Sequence, residues 1–222
     1  MDNDQLIGKL TKGCESEQLH QIGSIQPSGV LLAGHREGSV IRATSRNTES
    51  FLGRVPEALI DQSIVDVLDE AEFPRTGGIG EKIYLPELVD GLDGALDGVL
   101  SFGPEHWVLE LEPASEDAGF ATMNTSLTQL LNAPASPSEW EAYGQQTVDL
   151  FRSLTGYDRI MLYRFLDDGS GEVIAESSSG MYGSYLGLRF PASDIPQIAR
   201  NLYLKNPHRQ IADVAAAPVP IV

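Results

Sequence analysis

Hydrophobic and polar positions in the first half of the chain alternate in a way that is typical of a sheet. Apolar runs at 29–33 and 39–43 flank the polar stretch "GHREG", which predicts a hairpin. Short helices are expected in "NTESFLG" and "VPEALIDQSIVDVLDEAEF", and strands in "KIYLPE", "GVLSFG" and "HWVLELEPAS". In the last strand Trp107, Leu109 and Leu111 alternate with mostly acidic positions, as on a half-buried sheet. The pattern therefore predicts an α+β domain with an antiparallel sheet.

The second half predicts one long helix and then another hairpin. "SPSEWEAYGQQTVDLFRSLTG" can begin with Ser136 as its cap, Pro137 at the first helical position and Glu139 completing a capping box, and Gly156 can end it. "DRIMLYRFL" and "GEVIAES" flank the turn "DDGSG", and "YLGLRFPASDIPQIARNLYLKN" predicts a strand or loop leading into a helix. The apolar stripe of the long helix fits a core contact or a dimer contact, and we interpret it as core. It consists of Trp140, Tyr143, Thr147, Leu150, Phe151 and Leu154.

Prolines set the predicted domain boundary, because those in "NAPASPS" cannot lie inside a helix. We predict a polar arm over residues 1–24, a first domain over 25–120, a linker over 121–136 and a second domain over 137–222. A second domain with one hairpin leaves a strand edge unpaired, which is a liability for an independent domain. We therefore expect the chain to be a fragment that ends within its second domain.

Charge and composition remove several classes of function. The net charge of −17 disfavours nucleic acid and anionic membranes as partners, because a polyanion repels both. Cys14 is the single cysteine, and the sequence has neither a signal peptide nor an apolar run near the ~20 residues that span a bilayer, so we expect a cytoplasmic protein. The four histidines are far apart and match no metal motif, so no metal is expected.

The candidate chemical groups each have an ordinary interpretation on local grounds. The sequence contains no recognisable nucleophile motif, phosphate-binding loop or dinucleotide fingerprint. Cys14 can be an incidental thiol on a polar arm. Asp194, in "RFPASDIPQIAR", can be a helix cap that also complements the helix dipole. The aromatic residues Tyr163, Phe190 and Tyr203 can simply belong to the core.

Four features together make the chain resemble the bacterial phytochromes. They are a cysteine in an N-terminal arm, "SIQPSGVLLA", "YDRIMLYRFLDDGSGEVIAES" and "YLGLRFPASDIPQIARNLYLKNPHRQIADV". The resemblance extends from Cys14 to Val222 and implies a PAS domain followed by the N-terminal part of a GAF domain. It also implies biliverdin, a linear tetrapyrrole, bound covalently in the GAF pocket. The implied function is a red/far-red light photoreceptor module that signals by photoisomerisation to an output domain absent from this chain.

The resemblance implies roles for particular residues. Cys14 matches the attachment position, where a thiolate adds to a vinyl group. Asp194 matches the family's acceptor for the pyrrole N–H groups. Tyr203 and Arg209 match contacts to the propionates, and a guanidinium suits a carboxylate in its own right. The other matches pack against the chromophore or surround it: Met161, Tyr163, Phe190, Ser193, Ile195 and Pro196.

The sequence departs from the family pattern at two places near its start. "QPSG" has Ser28 where family members usually have histidine, and "QLHQIG" replaces a Pro-Ile-His-Ile-Pro-Gly run but keeps His20. Both changes lie outside the residues matched to the chromophore. The GAF domain of the family continues past the position of Val222, so the rest of the pocket, a PHY domain and the output module are expected beyond this chain.

The sequence leaves the output activity of the full-length protein open. Family outputs are most often a histidine kinase and sometimes a diguanylate cyclase, but this sequence contains neither active site, so the enzyme question is open. A homodimer is expected for the full-length protein.

The alternative to the photoreceptor function is a non-photoactive PAS–GAF module for dimerisation or small-ligand sensing. Cys14 favours the photoreceptor, because such a module needs no thiol there.

Overall fold

The computed structural model describes residues 23–68, 73–74, 76–114, 134–181, 183–195, 197–204 and 210–222. These residues divide into two compact units. The first contains the described residues 23–114 and 210–222, and the second contains 134–204.

An antiparallel sheet with the strand order β3-β2-β6-β5-β4 forms the first unit. The strands of this unit are β1 (Ser24–Ile25), β2 (Val30–His35), β3 (Ile41–Thr44), β4 (Lys82–Gly91), β5 (Gly94–Phe102), β6 (His106–Pro113) and β10 (Val219–Pro220). The predicted α+β class with an antiparallel sheet is confirmed. β4 and β5 are longer than predicted, because they continue as a ladder to the pair Gly91–Gly94 at a tight turn.

Among the residues that the structure describes, three short helices share the core of this unit with the sheet. They are α1 (Thr48–Leu52), α2 (Pro56–Leu59) and α3 (Ile64–Leu68). Leu59 and Ile64 are fully buried in the same cluster as Leu109 and Leu111 of β6. The predicted alternation along β6 is confirmed, and each such buried side chain contributes about 1.5–3 kcal/mol relative to an exposed one. Trp107 is also buried, and its indole N–H donates to the carbonyl of Gly38 at 2.8 Å.

The segment 219–222 pairs with strands of the first unit that are far away in sequence. β10 is antiparallel to β1, with Val219 opposite Ile25. Thr44, the last residue of β3, and Val222 exchange backbone hydrogen bonds of 2.9 and 2.8 Å. The predicted second domain extended to Val222, whereas the structure groups 210–222 with the first unit. The reason is this backbone pairing, which leaves no signature in an apolar pattern.

The described residues of the second unit form two helices and a three-stranded antiparallel sheet in the order β7-β8-β9. Its elements are α4 (Pro137–Thr155), β7 (Arg159–Phe165), β8 (Gly171–Ser178), β9 (Arg189–Phe190) and α5 (Gln197–Tyr203). The predicted long helix and the second hairpin are confirmed. The capping box is wrong in detail, because Ser136 makes no side-chain cap hydrogen bond and Glu139 accepts from the N–H of Ala135 at 3.0 Å. Gly156 ends the helix in the left-handed conformation that favours glycine.

Replacing Ile221 by proline tests the pairing of 219–222 with the first unit. The N–H of Ile221 donates to the carbonyl of Gly23 at 2.9 Å, and proline has no N–H to donate. We expect Ile221→Pro to lower the free energy of unfolding in urea by about 1 kcal/mol. Val214→Pro is the control, since Val214 is 90% exposed and takes the second position of a turn closed by Asp213 and Ala216. Equal losses in the two variants would contradict the pairing.

Candidate functional site

The sheet of the second unit presents one face to α4. Gly144 lies against Leu162 and Ala175, which are opposite each other on β7 and β8. Val148, one turn further along α4, is buried. The predicted apolar stripe is therefore wrong in part, since Trp140 is 54% exposed and Gly144 takes the central contact with the sheet. A glycine lets the helix approach the sheet closely, and it carries no hydrophobic signal.

The other face of this sheet holds the predicted site residues of β7 and β9. Side chains alternate along a strand, so Met161, Tyr163 and Phe165 lie opposite to Leu162 and away from α4. The register with β8 shifts at a bulge between Leu162, which lies opposite Ala175, and Tyr163, which lies opposite Val173. Phe190 of β9 joins the same face because it pairs with Gly171, which pairs with Phe165. We call these four side chains the aromatic face: Met161, Tyr163, Phe165 and Phe190.

The rings of the aromatic face form one connected cluster. The ring centroids of Tyr163 and Phe165 are 5.3 Å apart and nearly perpendicular, and those of Tyr163 and Phe190 are 6.1 Å apart. Tyr185, from the loop between β8 and β9, extends the cluster with its centroid 6.2 Å from that of Phe190. Met161 and Phe165 are 42% and 47% exposed. The face is therefore a pre-packed aromatic surface that is still accessible at its edges.

Gly171 makes room for the central tyrosine of this cluster. A Cβ atom at Gly171 would lie 2.0–2.1 Å from the ring and hydroxyl atoms of Tyr163, which is far inside contact distance. The hydroxyl end of the Tyr163 ring therefore lies over the backbone of β8 at Gly171. A side chain at position 171 would push the ring away from Phe190.

A polar turn directly follows Phe190 and leads into α5. The N–H of Asp194 donates to the carbonyl of Pro191 at 3.0 Å, and both Ser193 and Asp194 are exposed. Across the described parts of the chain, the carboxylate of Asp194 accepts no hydrogen bond. The cap interpretation requires Asp194 to be the residue immediately before the helix. The helix begins at Gln197, so Asp194 does not meet this requirement.

Arg200 ties α5 to the β7–β8 turn. Its Nη1 donates to the carbonyl of Gly169 at 3.0 Å, and its guanidinium lies 5.7 Å from the Phe165 ring centroid. Such a cation–ring contact contributes about 0.5–1 kcal/mol at an exposed site. The contact fixes the helix that follows Asp194 relative to the aromatic face.

Glu176 and Arg159 form an ion pair on the same side of the sheet. Arg159 Nε lies 3.0 Å from Glu176 Oε1, off hydrogen-bond alignment, and the two side chains are 15% and 5% exposed. Glu176 Oε2 accepts from the Ser184 hydroxyl and from the N–H groups of Tyr185 and Leu186, the latter two at 2.9 and 3.2 Å. The Ser184 hydroxyl, these N–H groups and the Arg159 charge together hold the pKa of Glu176 below its usual range.

The structure brings some of the predicted site residues together and not others. Met161, Tyr163 and Phe190 share the aromatic face, and Ser193, Asp194 and half-buried Ile195 follow Phe190 in the turn. Tyr203 is 44% exposed at the end of α5. Cys14, Pro196 and Arg209 lie outside the described residues.

Several residues of the site were not predicted from sequence. Phe165 carried a usable signal, because it lies two positions after Tyr163 and so must share its face. Tyr185, Arg200 and the Arg159–Glu176 pair carried none, since their contacts depend on how a loop and a helix return to the sheet.

The described residues lack two features. They contain no group of three or more histidine, cysteine, aspartate or glutamate side chains that could hold a metal ion. They also contain no helix with the length and apolar character needed to cross a membrane.

Comparison with known proteins gives one consistent set of relatives. The PAS fold family matches residues 14–75. The chain is 37% identical to a bacteriophytochrome of Pseudomonas aeruginosa over 93% of this chain and 29% of that protein. It is 34% identical to a bacteriophytochrome of Xanthomonas campestris over 94% of this chain and 34% of that protein. It is 33% identical to cyanobacterial phytochrome A of Nostoc over 92% of this chain and 28% of that protein. The chain thus spans roughly a third of the length of these curated relatives.

Replacing Gly171 by alanine tests whether the Tyr163 ring lies over β8. The added methyl group overlaps the ring, and overpacking of this kind costs about 1–3 kcal/mol. We expect Gly171→Ala to lower the free energy of unfolding by about that amount and to change the near-ultraviolet circular dichroism of the tyrosines. Gly183→Ala is the matched control, because a Cβ atom there meets nothing within 4 Å. A Gly171→Ala protein with unchanged stability and spectrum would rule out this packing.

Proposed function

Because this chain belongs to the phytochromes, as a PAS-containing segment roughly a third of their length, we propose that it is the sensing part of a red/far-red light receptor. In this proposal the aromatic face binds biliverdin, and Cys14 holds it covalently. The observation that carries the proposal is the aromatic face itself, an accessible cluster of packed rings beside a turn whose carboxylate has no donor among the described residues.

The residues present fit a linear tetrapyrrole on chemical grounds. Such a ligand is planar and largely apolar, and it carries pyrrole N–H donors and two carboxylates. Ring faces at Tyr163, Phe165 and Phe190 suit the conjugated plane. Buried N–H groups need acceptors, and Asp194 supplies one in the turn that follows Phe190.

Each predicted site residue has a distinct part in this proposal. Asp194 accepts from the pyrrole N–H groups, through its carboxylate and through the backbone carbonyl that the turn at Pro191 keeps fixed. Tyr203 and Arg209 hold the propionates, where a guanidinium can bind a carboxylate with two parallel hydrogen bonds. The remaining residues enclose the ligand and restrict its rotation: Met161, Tyr163, Phe190, Ser193, Ile195 and Pro196.

Attachment at Cys14 needs no oxidant and no leaving group. The thiolate sulfur forms a bond to one carbon of a vinyl C=C group, and a proton goes to the other carbon, which gives a thioether. Cys14 is the single cysteine of the chain, so any covalent bilin on this chain identifies it.

Light sensing in this proposal depends on a change in the contacts of the aromatic face. When bound, the tetrapyrrole supplies absorption of red light and isomerisation about one methine double bond. Tyr163 and Phe190 repack, and Asp194 exchanges hydrogen-bond partners, so illumination changes the populations of two states of the second unit.

The proposal extends to the whole protein in three respects. The output is a histidine kinase or a diguanylate cyclase, the full-length protein is a homodimer, and its site of action is the cytoplasm. The second candidate function is a PAS–GAF module for dimerisation or ligand sensing without a covalent cofactor. The PAS match over residues 14–75 favours neither candidate, whereas the single thiol at Cys14 favours the photoreceptor.

Incubation with biliverdin tests the proposal directly. We expect the full-length protein to absorb in the far red and to give a zinc-dependent fluorescent band on a denaturing gel, because only a covalently attached bilin survives denaturation. Cys14→Ala is expected to abolish the band, and Ser16→Ala, two residues further along the arm, to leave it unchanged. A wild-type protein with neither signal would contradict the photoreceptor proposal.

A further inference from the structure

The loop between β8 and β9 is fastened to the sheet at one buried carboxylate. Glu176 Oε2 accepts from the hydroxyl of Ser184 and from two successive backbone N–H groups, those of Tyr185 and Leu186. The Glu176 side chain is only 5% exposed. Hydrogen bonds to a buried charged group are about twice as strong as those between neutral groups, so this carboxylate holds the loop at three points.

Arg159 fastens the same loop from the neighbouring strand. Its Nη2 donates to the carbonyl of Gly183 at 2.7 Å, and its guanidinium lies 4.3 Å from the Tyr185 ring centroid. The ion pair with Glu176 keeps this guanidinium in place on the sheet. Arg159 and Glu176 therefore contact the loop both at its backbone and at the side chain of Tyr185.

A continuous set of contacts connects the Arg159–Glu176 pair to the aromatic face. Tyr185 contacts Phe190, and Phe190 contacts Tyr163. The backbone of the loop also pairs with β8, where the N–H of Gly187 donates to the carbonyl of Val173 at 2.8 Å. Movement of the loop would thus change the position of Phe190, the residue that precedes the Asp194 turn.

We propose that Glu176, together with Arg159, is a positioning residue for the aromatic face: it fixes the 183–187 loop so that Tyr185 and Phe190 limit the room available to the ligand. The inference rests on the proposed binding of biliverdin to that face. Glu176 touches no ligand in this account and acts through Tyr185 and Phe190.

The charge of Glu176 matters as well as its shape. A glutamine at this position is nearly the same size but carries an NH₂ group, which must face either the cationic guanidinium of Arg159 or the donors of Ser184, Tyr185 and Leu186. Either orientation opposes like donors to each other. Glu176→Gln is therefore expected to release the loop without creating a cavity.

The chain offers a matched control for this variant. Glu172 lies on the same strand and also forms ion pairs, with Arg164 at 2.9 Å and with Arg189 at 3.8 Å. It receives no hydrogen bond from any described residue of the 183–187 loop. Glu172→Gln thus removes an ion-paired carboxylate of β8 and leaves the contacts of Glu176 and Arg159 with the loop intact.

The first measurement needs no biliverdin and reads the loop alone. In the full-length protein, amide hydrogen exchange at Tyr185 and Leu186 is expected to be at least about tenfold faster in Glu176→Gln, the factor that loss of a hydrogen bond to a charged group gives. Glu172→Gln is expected to leave both rates unchanged. Ser184→Ala removes one donor to Glu176 and also an acceptor of the Leu186 N–H at 3.1 Å, so it is read at Tyr185, where it should increase the rate less and provides the readout if Glu176→Gln fails to fold. Unchanged exchange at Tyr185 and Leu186 would overturn the proposal.

The second measurement separates positioning from a merely structural role. With biliverdin bound, Glu176→Gln is expected to shift and broaden the far-red absorption band and to reduce the yield of photoproduct, while attachment at Cys14 is retained. Faster exchange with an unchanged spectrum would reduce Glu176 to a local structural contact and overturn the positioning role. If the wild-type protein takes up no biliverdin, the proposed function fails, and the exchange rates still decide whether Glu176 fixes the loop.

Discussion

The register of β7 against β8 decides which side chains of the second unit meet the helix and which remain available to a ligand. Because side chains alternate along a strand, a slip of one residue would send Tyr163 towards α4 and Leu162 to the other side. Leu162 pairs with Ala175 and Tyr163 pairs with Val173 on the two sides of a bulge, and the contact of Gly144 with Leu162 and Ala175 fixes the helix on its own face. Every feature of the aromatic face depends on that division.

The surroundings of the aromatic face restrict it from three directions. Gly171 lets the Tyr163 ring lie against the backbone of β8. Arg200 anchors α5 at the hairpin turn, and the Arg159–Glu176 pair anchors the loop that ends at Phe190. These contacts come from different segments, so the face is held by tertiary structure and not by the strand alone. A ligand whose photochemistry depends on restricted rotation would benefit from such a rigid wall.

Sequence reasoning was strongest where a pattern is local. Alternation predicted β6, and two apolar runs around an Asp-Gly turn predicted the β7–β8 hairpin. The resemblance of two motifs to phytochromes selected Met161, Tyr163 and Phe190, which the register then placed on one face. It was weaker for α4, where the contact with the sheet depends on Gly144, a residue without a hydrophobic signal. The sequence did not predict contacts between distant segments, namely the pairing of 219–222 with 44–46 and the hydrogen bonds from the 183–187 loop to Glu176. Such contacts are determined by backbone hydrogen bonds and chain return, which leave no periodic trace.

The most direct test of the account follows the methyl group of Met161 by NMR in protein with ¹³C-labelled methionine methyl groups. Met161 lies on the aromatic face, whereas Met181 is 70% exposed in the loop after β8. On addition of biliverdin the ring currents of the tetrapyrrole should shift the Met161 signal, identified by its loss in Met161→Leu, and leave the Met181 signal almost unmoved. A bound bilin that leaves the Met161 signal unchanged would contradict the assignment of this face as the binding surface.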